Sequence, residues 1–103
     1  MDTDWINPEQ AYAAAPNILR EIGWTARTAR DPDLDATDRE YWLRKAAVLD
    51  RIALTDEAVG IHGDAAEVAD ASAQYLMDLD RVPATCDPRH YVRREYAAWA
   101  KSQ

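Results

Sequence analysis

The stretch Thr37-Asp38-Arg39-Glu40-Tyr41-Trp42-Leu43-Arg44-Lys45-Ala46-Ala47-Val48-Leu49-Asp50-Arg51-Ile52 decides the fold class. Thr37 and Glu40 have the spacing of a capping box, in which two side chains reach back to free backbone N–H groups at a helix start. Behind them Trp42, Ala46, Leu49 and Ala53, flanked by Leu43 and Ile52, recur at three- and four-residue intervals. Arg44, Lys45, Asp50 and Arg51 fill much of the remaining circumference. This is the period of an amphipathic helix and not the two-residue period of a strand.

The same signals recur on both sides. Upstream, Asn7-Pro8-Glu9-Gln10 combines a cap residue, Pro at the first helical position, an acid in the first turn and Gln at N3. Pro16 interrupts that helix, and Asn17 restarts a segment in which Ile18, Leu19, Ile22, Ala26 and Ala29 keep helical spacing. Gly23 weakens it slightly, and Asp31-Pro32-Asp33 ends it. Downstream, Gly60 and Gly63 bracket a break at Ile61-His62, and Asp64-Ala65-Ala66-Glu67 reads as another start with Asp64 as the cap. Val68, Ser72, Tyr75, Leu76 and Leu79 share one face of this third helix, which Val82-Pro83 closes. Asp87-Pro88 repeats the cap-plus-Pro signal before Val92, Tyr96 and Trp99. No segment alternates with period two. The expected architecture is an all-α single domain over residues 1–103, a small bundle of about four helices with the first interrupted near Pro16.

Composition makes that bundle lean. Of 103 residues, Leu, Ile, Val and Phe supply 17, Ala supplies 20, and the net charge is -7. Four Trp and five Tyr can replace missing Leu and Phe in a core. Trp5, Trp42, Tyr41, Tyr91, Tyr96 and Trp99 are expected there. Trp24, two residues past Ile22 and off its stripe, is the aromatic expected on a contact surface. No run reaches the length of a membrane span, and Met1-Asp2-Thr3-Asp4 is acidic where a signal peptide is basic. The lone Cys86 cannot form an internal disulfide. These features lead us to expect a soluble, cytoplasmic chain that does not enter a membrane.

The chemistry-bearing motifs fail on spacing. Asp31, Asp33 and Asp35 match the first positions of a calcium loop, but Ala36 stands where Gly is needed and Trp42 where a bidentate Glu is needed. Cys86, His90, His62 and Asp64 are zinc-ligand types without zinc-ligand spacing. Cys86 with His90 one turn on could form a nucleophile pair, but Asp87 opposes thiolate formation and no Gly-rich oxyanion loop accompanies them. The expectation is no catalytic set, no metal site and no cofactor.

Charge placement is the strongest nonrandom signal. Residues 1–80 carry 7 basic and 17 acidic side chains, whereas residues 81–103 carry 5 basic and 2 acidic. Glu67, Asp70, Gln74 and Asp78 line a stripe of the third helix, and Arg89, Arg93 and Lys101 line one of the last, beside Arg94. The short connection from Val82 to Asp87 makes these helices neighbours and favours pairing between the stripes. If the basic stripe faces outward instead, Arg89, Arg93, Arg94 and Lys101 are candidates for an accessory nucleic-acid contact. The acidic helices could alternatively imitate DNA toward a DNA-binding protein.

Tyr41–Ile52 and Asp87–Trp99 resemble segments of small uncharacterised actinobacterial proteins, some encoded near mobile elements. The resemblance implies a bacterial cytoplasmic setting and carries over no active residue. The functional expectation is a non-enzymatic helical module, an adaptor, assembly factor or regulator, that binds a protein partner or a second copy. Its candidate contact residues are Trp24, Arg89, Arg93, Arg94 and Lys101. Nucleic-acid binding through the last helix is the alternative.

Overall fold

The computed structural model describes residues 6–83 and 86–103, which leaves Trp5 outside the described residues. Among these are five helices and no strand: α1 (Pro8–Ala11), α2 (Ile18–Ala29), α3 (Arg39–Ala58), α4 (Asp64–Leu79) and α5 (Pro88–Lys101). The count is five because the interrupted first helix is two separate ones: α1 ends at Ala11, and Pro16 lies in the connection before α2.

Local capping sets most of the helix starts. Asn7 and Gln10 form the full reciprocal box of α1, and Asn17 accepts from the Leu19 N–H. Asp87 accepts from the Arg89 and His90 N–H groups ahead of Pro88. Two starts shift by one residue from the sequence expectation. Asp38, not Thr37, caps α3 by accepting from the Tyr41 N–H, because a carboxylate is the better acceptor of the two. Asp64 lies inside α4, where its charge meets the positive end of the helix, and Gly63 takes the cap position without a side-chain bond. At its other end α3 closes through Gly60, whose φ of 80° lets the Gly60 and Ile61 N–H groups reach the carbonyls of Glu57 and Asp56.

The middle helix α3 organises the rest. Its most extensive contact is with α4, which runs antiparallel to it; α5 crosses α3 and α4 on one side, and α2 packs along the opposite flank of α3. The α3–α4 seam is built from small residues: Ala46, Ala47 and Ala53 against Ala69 and Ala73, all 2% exposed or less. Alanine removes the side-chain bulk that would hold two helix axes apart. Six of the fourteen buried apolar residues are Ala, so part of the alanine that made the composition look lean is core. Leu43, Leu76, Met77, Tyr91, Val92 and Tyr96 complete the main cluster.

Alanine packing also corrects the expected orientation of α4. The buried face carries Ala69, Ala73, Leu76 and Met77, while Val68 is 46% exposed and Tyr75 is 40% exposed. Of the five residues expected to share the inner face, Leu76 alone is buried. No helix among the described residues is long and apolar enough to cross a membrane.

Candidate protein-interaction face

Two buried carboxylates determine which sides of the helices face inward. Asp50, 1% exposed on α3, accepts four hydrogen bonds. Its Oδ1 receives Arg89 Nε at 2.6 Å and Arg93 Nη2 at 2.9 Å; its Oδ2 receives the Tyr12 hydroxyl at 2.6 Å and Arg93 Nε at 2.8 Å. Burial pushes the Asp50 carboxyl up, but the bonds from Arg93, Tyr12 and Arg89 outweigh it and hold it below the usual carboxylate range. Glu57, two turns further along α3, receives Arg89 in a bidentate pair. The cluster ties the end of α1 and the start of α5 to α3.

The partners of the basic stripe are thus on α3, where an acid of α4 was expected. The reason is geometric. Asp50 and Glu57 are seven residues apart, so both lie on the face of α3 that α5 crosses. Glu67, Asp70 and Asp78 point to solvent because alanines hold the packed side of α4. Arg93 is buried and Arg89 is nearly so, with 12% of its side chain exposed. Arg94 lies half-buried over the Tyr91 ring, its Nε 3.5 Å from Glu95, and Lys101 is exposed.

The second buried carboxylate, Glu21, is 3% exposed on α2. Arg44 reaches it with Nε at 3.2 Å and Nη2 at 2.8 Å, and extends Nη1 to Glu40. The same guanidinium lies 3.6 Å from the centre of the Trp24 ring and 5.2 Å from that of Trp99. Trp24 is therefore half-buried in a clasp joining α2, α3 and α5, and is no freely exposed indole.

This clasp turns α2 so that its most apolar side is left out. Glu21 is its one buried residue, and Thr25, whose hydroxyl donates to the Glu21 carbonyl, lies half-buried. Most of the stripe expected to be core faces outward instead: Leu19 is 73% exposed, Ile22 is 39% exposed, Ala26 and Ala29 are exposed, and Ile18 is half-buried. Ile22, Ala26 and Ala29 form one wall of an open trough of about 370 Å³ whose other wall is Lys45, Leu49 and Ile52 of α3. It continues into a cleft of about 350 Å³ between Ile18 and Asp56.

The apolar surface extends across α3. Trp42 and Tyr75 stack with centroids 4.2 Å apart, and both donate to the Ala36 carbonyl. The antiparallel register that sets Tyr75 beside Trp42 puts Val68 level with Leu49, since each lies seven residues away. Among the described residues no Cα of α2 comes within 8 Å of one in α4, and the strip of α3 between them is only half-buried. Apolar side chains thus reach the surface on three neighbouring helices, Ile22 on α2, Leu49 and Ile52 on α3, and Val68 and Tyr75 on α4. The sequence pattern conceals this surface, because the stripe of α2 and the Val68–Tyr75 side of α4 both read as core. The available signal was α3, whose apolar residues occupy more than one arc: Leu43 on one, Leu49 and Ile52 on another.

Of the motifs rejected on spacing, Asp31 and Asp35 close local turns by accepting from the Asp33 and Thr37 N–H groups. Cys86 is half-buried against the core. Among the described residues no three His, Cys, Asp or Glu side chains converge as metal ligands would. Comparison of the chain with protein-family models, curated proteins and solved structures gives no match, so no function transfers from a relative.

Proposed function

We propose that this protein is a helical interaction module that works by binding and not by catalysis, and that its contact surface is the apolar face of α2, α3 and α4. One observation carries this: α2 packs through Glu21 and presents Ile22, Ala26 and Ala29 outward beside Leu49 and Ile52. A contiguous apolar patch on a soluble protein marks an interaction site more often than scattered apolar residues do. Both buried carboxylates are bound by arginines, which suits them to holding helices in place and not to moving protons. Neutralised guanidiniums at Arg89 and Arg93 also weaken the case for a nucleic-acid contact through α5.

The test compares the wild-type chain with an Ile22→Asp/Leu49→Asp variant. Association is followed by sedimentation and by capture of proteins from an extract of the native host. The wild type should associate, with itself or with a captured protein, and the variant should not, while its helical content by circular dichroism stays unchanged. Equal behaviour of the two chains refutes the proposal.

A further inference from the structure

The strip of α3 that lies between α2 and α4 consists of Lys45, Leu49, Ile52 and Asp56, all of them half-buried. The intervals are four, three and four residues, the spacing of a helix–helix seam. Its order of character is basic, apolar, apolar, acidic. Reversed, the row is its own complement. From this, and resting on the proposal that the face is a contact surface, we infer that its occupant is a second copy of the chain, related by a two-fold axis through the middle of the strip and perpendicular to α3.

That rotation lays α3 antiparallel on its counterpart. Lys45 of one copy meets Asp56 of the other, twice, and Leu49 meets Ile52, twice. An isologous contact of this kind is the commonest route to a closed soluble oligomer.

The flanking helix fits the same operation. α2 runs antiparallel to α3, with Ile18 beside Asp56 and Ala29 beside Lys45. Exchanging the ends of α3 therefore exchanges the ends of α2, so each large Ile18 faces a small Ala29. The ends of α3 also carry complementary apolar surface: Val59, 70% exposed, and Ile61 near one end, the Trp42–Tyr75 pair near the other.

Other occupants fit less well. A two-fold axis along α3 would set Lys45 on Lys45 and Asp56 on Asp56, and like charges in contact oppose association. An unrelated partner would have to supply an acid and a base about 16 Å apart, the rise of eleven helical residues, or cover Asp56 without a countercharge and leave Lys45 with only the Tyr41 and Trp42 rings beneath it. The net charge of -7 opposes any self-contact. However, screening over about 8 Å at physiological ionic strength limits the reach of the exposed acids across the face. The molecule's 41 × 31 Å principal extents leave room for the roughly 800 Å² per partner that a stable interface buries.

Sedimentation velocity with light scattering on the purified full chain tests this directly. The wild type should reach twice the 11.6 kDa chain mass as its concentration is raised. Lys45→Glu and Asp56→Lys, each converting two attractions into two repulsions, should raise the dissociation constant at least about tenfold. The double variant Lys45→Glu/Asp56→Lys should restore it to near the wild-type value, which a merely misfolded chain could not do. A wild type that stays at the monomer mass overturns the inference, as does a dimer indifferent to the single reversals or not rescued by the swap. If the wild type is monomeric and yet captures a host protein that Ile22→Asp/Leu49→Asp does not, the module stands and only the second copy falls. If it neither self-associates nor captures, both fall.

Discussion

Replacing Asp50 with Asn tests the buried cluster at the cost of almost no volume. Asp50 offers two oxygens, each accepting two donors, and Asn offers one. Turned toward Tyr12, whose hydroxyl can accept instead of donate, the amide nitrogen still meets Arg93 Nε, so at least one of the four bonds becomes a donor-against-donor contact and both arginines lose their countercharge. Hydrogen bonds to charged groups contribute about 1.5–3 kcal/mol each, and removing one member of a buried ion pair costs about 3–5 kcal/mol because the other charge stays buried. We therefore expect Asp50→Asn to lose about 3–5 kcal/mol. For a domain of this size, whose total stability is about 5–15 kcal/mol, that lowers the melting temperature by about 15–30 °C. Glu57→Gln is the control: that side chain is 30% exposed, and its loss should stay below about 1 kcal/mol. Urea melts of the wild type, Asp50→Asn, Arg93→Met and the double variant give the coupling. The double variant should lose clearly less than the two single losses added together, since it no longer buries a lone charge. A loss below 1 kcal/mol for Asp50→Asn, or additive losses in the cycle, would refute the assignment of Asp50 as the electrostatic centre of the core.

The acid limb of stability is set by Asp50 and by a separate carboxylate at the end of α4, Asp80, which binds Arg39 in a bidentate pair and accepts from the Tyr91 hydroxyl. Burial raises the carboxyls of Asp50 and Asp80, but the bonds from Arg93, Tyr12 and Arg89 to the first, and from Arg39 and Tyr91 to the second, hold both below the ordinary value near 3.9. A carboxyl held down in the folded state takes up its proton less readily than in the unfolded chain. Its contribution is thus complete above about pH 4 and is lost as the pH falls through the folded value. Stability by urea melts should stay level from neutrality to about pH 5 and fall steeply below pH 4, with a shallower fall in Asp50→Asn; identical acid limbs would contradict this. At the alanine seam, Ala73→Leu should destabilise by about 1–3 kcal/mol although it adds apolar surface, because α3 leaves no room there. Val68→Leu, on the exposed side of the same helix, should change stability by less than about 0.5 kcal/mol, so equal thermal shifts for the two would contradict the observed orientation of α4.

Most helix ends were legible because capping is a matter of three or four adjacent residues. Asn7 with Gln10, Asn17 after Pro16, and Asp87 before Pro88 each satisfy backbone donors within one turn, whatever lies beyond. Of the two starts shifted by one residue, Asp38 for Thr37 reflects adjacent acceptors competing for the same donors, whereas at Gly63 no side chain caps the helix and Asp64 joins its first turn. Helical period and the absence of alternation likewise follow from neighbours in sequence.

Which face turns inward does not. The stripe Ile18, Ile22, Ala26 and Ala29 is the most apolar side of α2, yet α2 packs through Glu21, since Arg44 stands across from it with a bidentate bond and a tryptophan on which to stack. On α4, Ala69 and Ala73 displaced Val68 and Tyr75 from the interface because the close approach of α3 favours small residues. Arg89 and Arg93 met Asp50, not the nearer-in-sequence Glu67 or Asp78, because the crossing of α5 brought them to that side of α3. By itself the sequence determined the helices, their ends and the charge each carries, all of them local properties. Only the tertiary structure decided which charges neutralise one another and which apolar side remains outside, because both depend on groups tens of residues apart.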